Sequence, residues 1–287
     1  VNPSVIHSAS GANDGHGRGV RGANDDHGLL VIGHGTRHAE GAEQFLQLIE
    51  QLRRQVPDRP VEGCFLELRP PTIETAWRQL VERGVRHVQA LPLLLFSAGH
   101  AKRDIPDALA DCAAGTPGVS FHLGRALSRH RGVLQRSCQC VLQAAGTDAS
   151  AAETVLVMVG RGSYDVCAQA DMRLFSECVF RTVRDHAAVP FAAVETAFYA
   201  MAEPSLPQVL DAVCAGRPTA RVVVQPHLLF AGQLQMAIER QVEEARVRYP
   251  NCSLVTGQPL GPHRLIAQAV ADRLREQEHL GTGTSLP

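Results

Sequence analysis

His34, Glu67 and His100 recur at intervals of 33 residues in the first half of the chain. Two imidazoles and a carboxylate that converge can hold a divalent transition metal or move protons. Neutral imidazole and carboxylate ligate borderline cations, and both work as bases near neutral pH. Each of the three ends or closely follows a short apolar run, at residues 29–33, 61–67 and 87–96. In an open parallel sheet the carboxyl ends of neighbouring strands share one edge, so side chains placed there can meet. Taken singly, each residue has a plainer account. His34 can cap a helix after a tight turn, Glu67 can pair with Arg69, and His100 can be a solvated loop residue. One architecture that sets all three on one edge is what joins them.

That architecture follows from the rest of the pattern. Apolar runs read as buried strands over 29–33, 61–67, 87–96 and 119–123. Amphipathic spacing predicts helices over 43–56, over 72–83 with Thr72 as cap and Gly84 as stop, from an Asp104 N-cap to 112–114, and near 129–144. Alternation of strand and helix implies parallel sheets with right-handed crossovers. The common strand order 2-1-3-4 puts the first strand between the second and third, with the three residues at the switch point.

The second half repeats the first. Gly160-Arg161-Gly162-Ser163 matches Gly33-His34-Gly35-Thr36, residues 198–204 match 65–71, residues 225–230 match 91–96, and residues 257–263 match 124–130. The fold class is therefore α/β: two duplicated, flavodoxin-like domains, each a four-stranded parallel sheet flanked by helices, facing across a cleft. The expected boundaries are a tail over 1–27, a site-bearing domain over 28–146, a linker over 147–153, a second domain over 154–278, and a tail over 279–287. At the positions of His34, Glu67 and His100 the second half has Arg161, Ala200 and, with a one-residue gap, Gln233. The frame is kept and the ligands are gone, so one site per chain is expected, with the second domain as the far wall. His38 reads as a surface histidine of the turn. His130 and His263 are equivalent and both retained, which favours a structural role.

Charge is balanced at 28 basic against 29 acidic residues, which offers nucleic acid no electrostatic footprint. No apolar run approaches a membrane span. The eight cysteines form no C-x-x-C pair and read as reduced structural thiols of a cytoplasmic protein. Residues 1–27, rich in Gly, Ser, Asn, Asp and His, read as a disordered tail whose His7, His16 and His27 are solvated or bind metal weakly.

The stretch 29–37, the Phe65-Leu66-Glu67 strand end with Pro70-Pro71, and the stretch 92–102 resemble the sirohydrochlorin chelatase family. Gly160-Arg161-Gly162-Ser163 and residues 257–263 resemble its long, two-domain form. The resemblance implies a class II chelatase fold and ATP-independent insertion of Co2+ or Fe2+ into sirohydrochlorin. It implies His34, Glu67 and His100 as catalytic residues, with His34 and His100 handling the metal and Glu67 as acidic partner. The family usually has Asp where this chain has His38. It implies no cofactor beyond the substrate metal; some long members use a Cys-rich tail for an iron–sulfur cluster, and with no such tail in this sequence no cluster is expected. The expected partners are an anionic tetrapyrrole and a divalent metal, not nucleic acid or membrane. A monomer is expected, since the duplication already builds a cleft. Lys102, Arg103, Arg37, Arg125 and Arg161 are candidate contacts for substrate carboxylates. Apart from the resemblance, the same three groups suit a zinc-dependent hydrolase, or a carrier that binds tetrapyrrole or metal without catalysis.

Overall fold

The computed structural model describes residues 26–96, 101–147 and 153–281. Strand and helix alternate throughout. The first half runs β1 (His27–Gly33), α1 (Ala39–Gln55), β2 (Val61–Phe65), α2 (Ile73–Glu82), β3 (His87–Pro92), α3 (Ala101–Ala114), β4 (Ser120–Leu123) and α4 (Arg131–Ala145). The second runs β5 (Thr154–Gly160), α5 (Val166–Arg184), β6 (Phe191–Phe198), α6 (Leu206–Gly216), β7 (Arg221–Pro226), α7 (Gln233–Arg248), β8 (Ser253–Thr256) and α8 (Arg264–Gly281). The strands form two four-stranded parallel sheets, ordered β2-β1-β3-β4 and β6-β5-β7-β8. Both orders are the one expected from the sequence.

The central strands explain the apolar runs. Leu29 to Ile32 are wholly buried, because helices cover both faces of the sheet. Successive side chains point to opposite faces. Leu30 and Ile32 face α2 and α3, in a core with Trp77, Leu80 and Leu109. Leu29 and Val31 face the other way, into a core that also holds Phe45, Val133, Phe175 and Ile266. This second core joins the two halves into one apolar body. The far face of the second sheet has its own core beneath α6 and α7.

The last helix of each half crosses over. α4 packs on α5, α8, β7 and β8, while α8 packs on α1, α4 and β3. Each sheet is thus roofed in part by a helix that belongs, in sequence, to the other half. Arg136 donates to the Leu260 carbonyl at 2.8 Å and Arg273 to the Leu127 carbonyl at 3.0 Å, fastening the exchange. It also explains Cys138 and Cys140. Two residues apart they cannot share a helix face, yet both are buried, since α4 is covered on more than one side.

Several element ends differ from expectation. β2 stops at Phe65 and β3 at Pro92. Beyond Pro92 the apolar run leaves the sheet and is only partly buried after Leu93: Phe96 packs its ring on Phe175 and His227. α3 begins at Ala101, so Asp104 lies in its first turn rather than capping it, where its charge still favours the helix dipole. α1 begins at Ala39, four residues before the apolar spacing becomes regular. Thr72 caps α2 as expected, its hydroxyl accepting from the Thr75 N–H at 3.2 Å. β1 takes in His27, which the composition had assigned to the tail; the backbone of Asp26 binds Arg86 and His87 and starts the pairing there. The rest of that tail, 1–25, lies outside the described residues, as do 148–152 of the expected linker and 282–287. α8 continues to Gly281, past the expected boundary at 278. No helix among the described residues is long and apolar enough to cross a membrane.

Candidate active site

His34 leaves β1 between two glycines, and Glu67 lies two residues past β2. The two turns are sewn together by backbone bonds: Leu66 N–H donates to Gly33 O at 2.8 Å, and Glu67 N–H to His34 O at 3.1 Å. Gly35 is required for this approach. Its φ is +109°, and a Cβ there would lie 2.0 Å from the Glu67 carbonyl oxygen. The side chains then meet, His34 Nε2 standing 3.2 Å from Glu67 Oε1. Both remain open to solvent, at 31% and 47% exposure. Glu67 therefore faces His34, while Arg69 lies over the Phe65 ring at 5.8 Å.

His100 lies outside the described residues. β3, the strand that leads toward it, is hydrogen-bonded to β1, and α3 begins directly after it.

The second half repeats the frame bond for bond. Tyr199 N–H donates to Gly160 O at 2.9 Å and Ala200 N–H to Arg161 O at 3.0 Å. Gly162 has φ +89°, and a Cβ there would lie 1.7 Å from the Ala200 carbonyl oxygen. Arg161 and Ala200 thus stand where His34 and Glu67 do. Gln233, the expected counterpart of His100, is the first residue of α7. None of the three offers an imidazole or a carboxylate.

His130 and His263 are structural, as expected. Each Nδ1 accepts a backbone N–H at the start of its helix, Gly132 at 3.1 Å and Leu265 at 3.2 Å. Burial lowers the pKa of both, aided by Arg273 at His130 and Arg136 at His263.

His38 is not the surface histidine expected. It is half-buried at the N-cap of α1, makes no side-chain cap bond, and its Nδ1 has no hydrogen-bond partner among the described residues. The equivalent Asp165 does cap α5, accepting from Cys167 N–H at 2.9 Å and Ala168 N–H at 3.4 Å. His38→Asp should therefore stabilise the protein by about 1 kcal/mol, read as a higher thermal midpoint. An unchanged or lower midpoint would show that α1 gains nothing from a cap there.

His38 also lines a cleft of about 290 Å³, with Glu40 and Gln44 from the first half and Gly232, Gln235, Met236 and Glu239 from the second. The cleft adjoins the His34 turn through His38, though neither His34 nor Glu67 lines it. A second hollow opens beside it, lined by Tyr199, Gln233, Met236, Ala237 and Arg240. Tyr199, just past β6, and Met236 and Arg240, on the exposed face of α7, escaped the sequence reading, because a single exposed residue carries no periodic signal. Of the cations singled out from sequence, Arg37, Arg103 and Arg161 are exposed, Arg125 is paired with Glu276, and the Lys102 side chain lies outside the described residues.

Behind the cleft, His227 follows β7 directly and is sealed between Phe96 and Phe175, with ring centroids at 5.3 and 4.2 Å. Neither ring nitrogen has a hydrogen-bond partner among the described residues, and burial pushes its pKa down to about 3.

The CbiX family model matches residues 28–143 and again 155–277. The sirohydrochlorin ferrochelatase of Bacillus subtilis (strain 168) is 29% identical over 248 residues, covering 86% of this chain and 90% of its own. The sirohydrochlorin ferrochelatase of Priestia megaterium is 31% identical over 219 residues, 75% of this chain and 78% of its own. The sirohydrochlorin cobaltochelatase of the same organism is 26% identical over 251 residues, 86% of this chain and 79% of its own. Among solved structures, SirB from Bacillus subtilis with Fe3+ superposes with a TM-score of 0.74 at 27% identity, covering 90% of this chain and 98% of that one. With each half matched in turn and the same two-sheet frame in the solved relative, the chain belongs to the CbiX family, the sirohydrochlorin chelatases.

Proposed function

We propose that this chain inserts Co2+ or Fe2+ into sirohydrochlorin without ATP, as a step toward cobalamin or siroheme. The observation that carries the reading is the solvent-open His34–Glu67 pair at the carboxyl edge of the first sheet, in a chain of this family. A separation of 3.2 Å suits an N–H···O bond when no metal is present, and also the edge of a metal coordination sphere. His34 and His100 deliver the ion. Imidazoles hold Co2+ or Fe2+ firmly enough to strip some water, and loosely enough to yield it to the ring nitrogens. Two or three protein ligands leave positions open for the macrocycle. Glu67 orients His34 and accepts a proton as the pyrroles are deprotonated.

The second half supplies the other wall. Tyr199 and Met236 offer apolar surface to the ring, and Arg240, Arg161 and Arg37 meet its carboxylates. One chain brings both walls, so a monomer suffices. The test is a visible-absorbance assay of sirohydrochlorin with Co2+, Fe2+ or Ni2+ in turn. At least one of Co2+ and Fe2+ should be inserted well above the enzyme-free rate. If neither is, the chain is not a chelatase.

A further inference from the structure

We propose that Asp26, His27 and His87 form a second divalent-metal site, at the amino edge of the first sheet and remote from the His34 edge. This does not depend on the chelation reading. β1 and β3 are parallel neighbours whose first residues, His27 and His87, stand in register. Their imidazoles lie side by side with ring centroids 4.8 Å apart. Asp26 is pinned beneath them, its carbonyl oxygen accepting from Arg86 N–H at 2.7 Å and His87 N–H at 2.9 Å. Its carboxylate reaches both rings, Oδ1 standing 3.8 Å from His27 Nε2 and Oδ2 3.6 Å from His87 Nε2.

One ligand atom from each residue can be chosen so that all lie within 4.8 Å of one another. Ligands about 2.1 Å from a tetrahedral ion are roughly 3.4 Å apart, so small side-chain rotations close the set. The second shell is also in place. Ser120 Oγ lies 2.8 Å from His87 Nδ1, which lets the hydroxyl accept a hydrogen bond from Nδ1–H and leaves the Nε2 lone pair toward Asp26. All three side chains are partly exposed, at 45%, 33% and 51%, so an ion can enter and a water can complete the sphere. Two imidazoles and one carboxylate select borderline ions such as Zn2+, Co2+ and Ni2+ over Mg2+ and Ca2+. A bound ion would tie the start of β1 to β3.

The test uses the full chain carrying His34→Ala and His100→Ala, so that the proposed active site contributes nothing. Zn2+ binding is followed by calorimetry, and Co2+ binding by its visible spectrum. One equivalent should bind. His87→Ala, at an exposed position, and Asp26→Asn, at a partly exposed one, should each abolish it, and Ser120→Ala should weaken it about tenfold or more. Zn2+ should raise the thermal midpoint of the parent and leave that of His87→Ala where it was. Removing His7 and His16 from the tail should change nothing. Equal binding by parent and His87→Ala would overturn the proposal, as would loss of binding on removing His7 and His16.

Discussion

Replacing His34 with alanine should bring metal insertion close to the spontaneous rate, a loss of about 100-fold or more. On the proposed reading the imidazole bonds Glu67 when no ion is present and ligates the incoming ion when one arrives. Alanine can do neither. The fold should survive, because what His34 gives the frame is its backbone: the Glu67 N–H bond to His34 O is independent of the side chain. Nature has already run the structural half of this experiment at Arg161 and Ala200, where the same backbone bond closes without either functional group. Thermal midpoint and circular dichroism of His34→Ala should therefore match the parent. Insertion at the parental rate would move the chemistry elsewhere, while a collapsed fold would show that the side chain is structural.

Acidification should unfold this protein in a way traceable to His227. Its folded pKa, about 3, lies below the ordinary value of 6.5 because the ring is sealed from water. The unfolded chain therefore binds a proton between these values and the folded one does not. The stability held by the neutral ring should be complete above about pH 6.5 and be lost progressively as the pH falls toward about 3. His130 and His263 act in the same direction. Leucine is the natural replacement, since the equivalent residue of the first half is the buried Leu93. Leu93 and His227 even share the incoming backbone bond, to Ile32 O and Val159 O at 2.8 Å each. His227→Leu should raise the midpoint at neutral pH, by removing two unpaired buried nitrogens that cost on the order of 1–3 kcal/mol each. It should also flatten the fall between pH 6.5 and 4 by about one proton. Thermal unfolding across that range decides it. An acid limb of unchanged slope in His227→Leu would assign the sensitivity to other groups.

Much of this was legible in the chain, because strand, turn and helix are local patterns. The repeat of Gly-His-Gly as Gly-Arg-Gly, and of 65–71 as 198–204, marks turns whose bonds prove identical. The strand order followed from general rules of parallel sheets. Other features depend on partners that spacing does not encode. The run 87–96 reads as one long strand, yet β3 ends at Pro92 and the half-buried Phe96 packs on Phe175 and His227 from the other half. His38 reads as solvated until the fold sets it along one cleft with Gly232 and Met236. The exchange of α4 and α8 is invisible because an amphipathic face says only that it must be covered, not by which sheet. Of the trio, the meeting of His34 with Glu67 is shown, and His100 falls outside the described residues.

The exchanged helices bear on how a flat, rigid macrocycle gets in. Two lobes joined by a simple strap can gape like jaws. These cannot, since α4 and α8 are each clamped on the opposite sheet, over apolar surface that runs unbroken from Phe45 to Phe175 and Ile266. Gaping would tear that surface and wet it, at about 25 cal/mol for every Å² exposed. Opening the mouth by parting the halves is therefore costly.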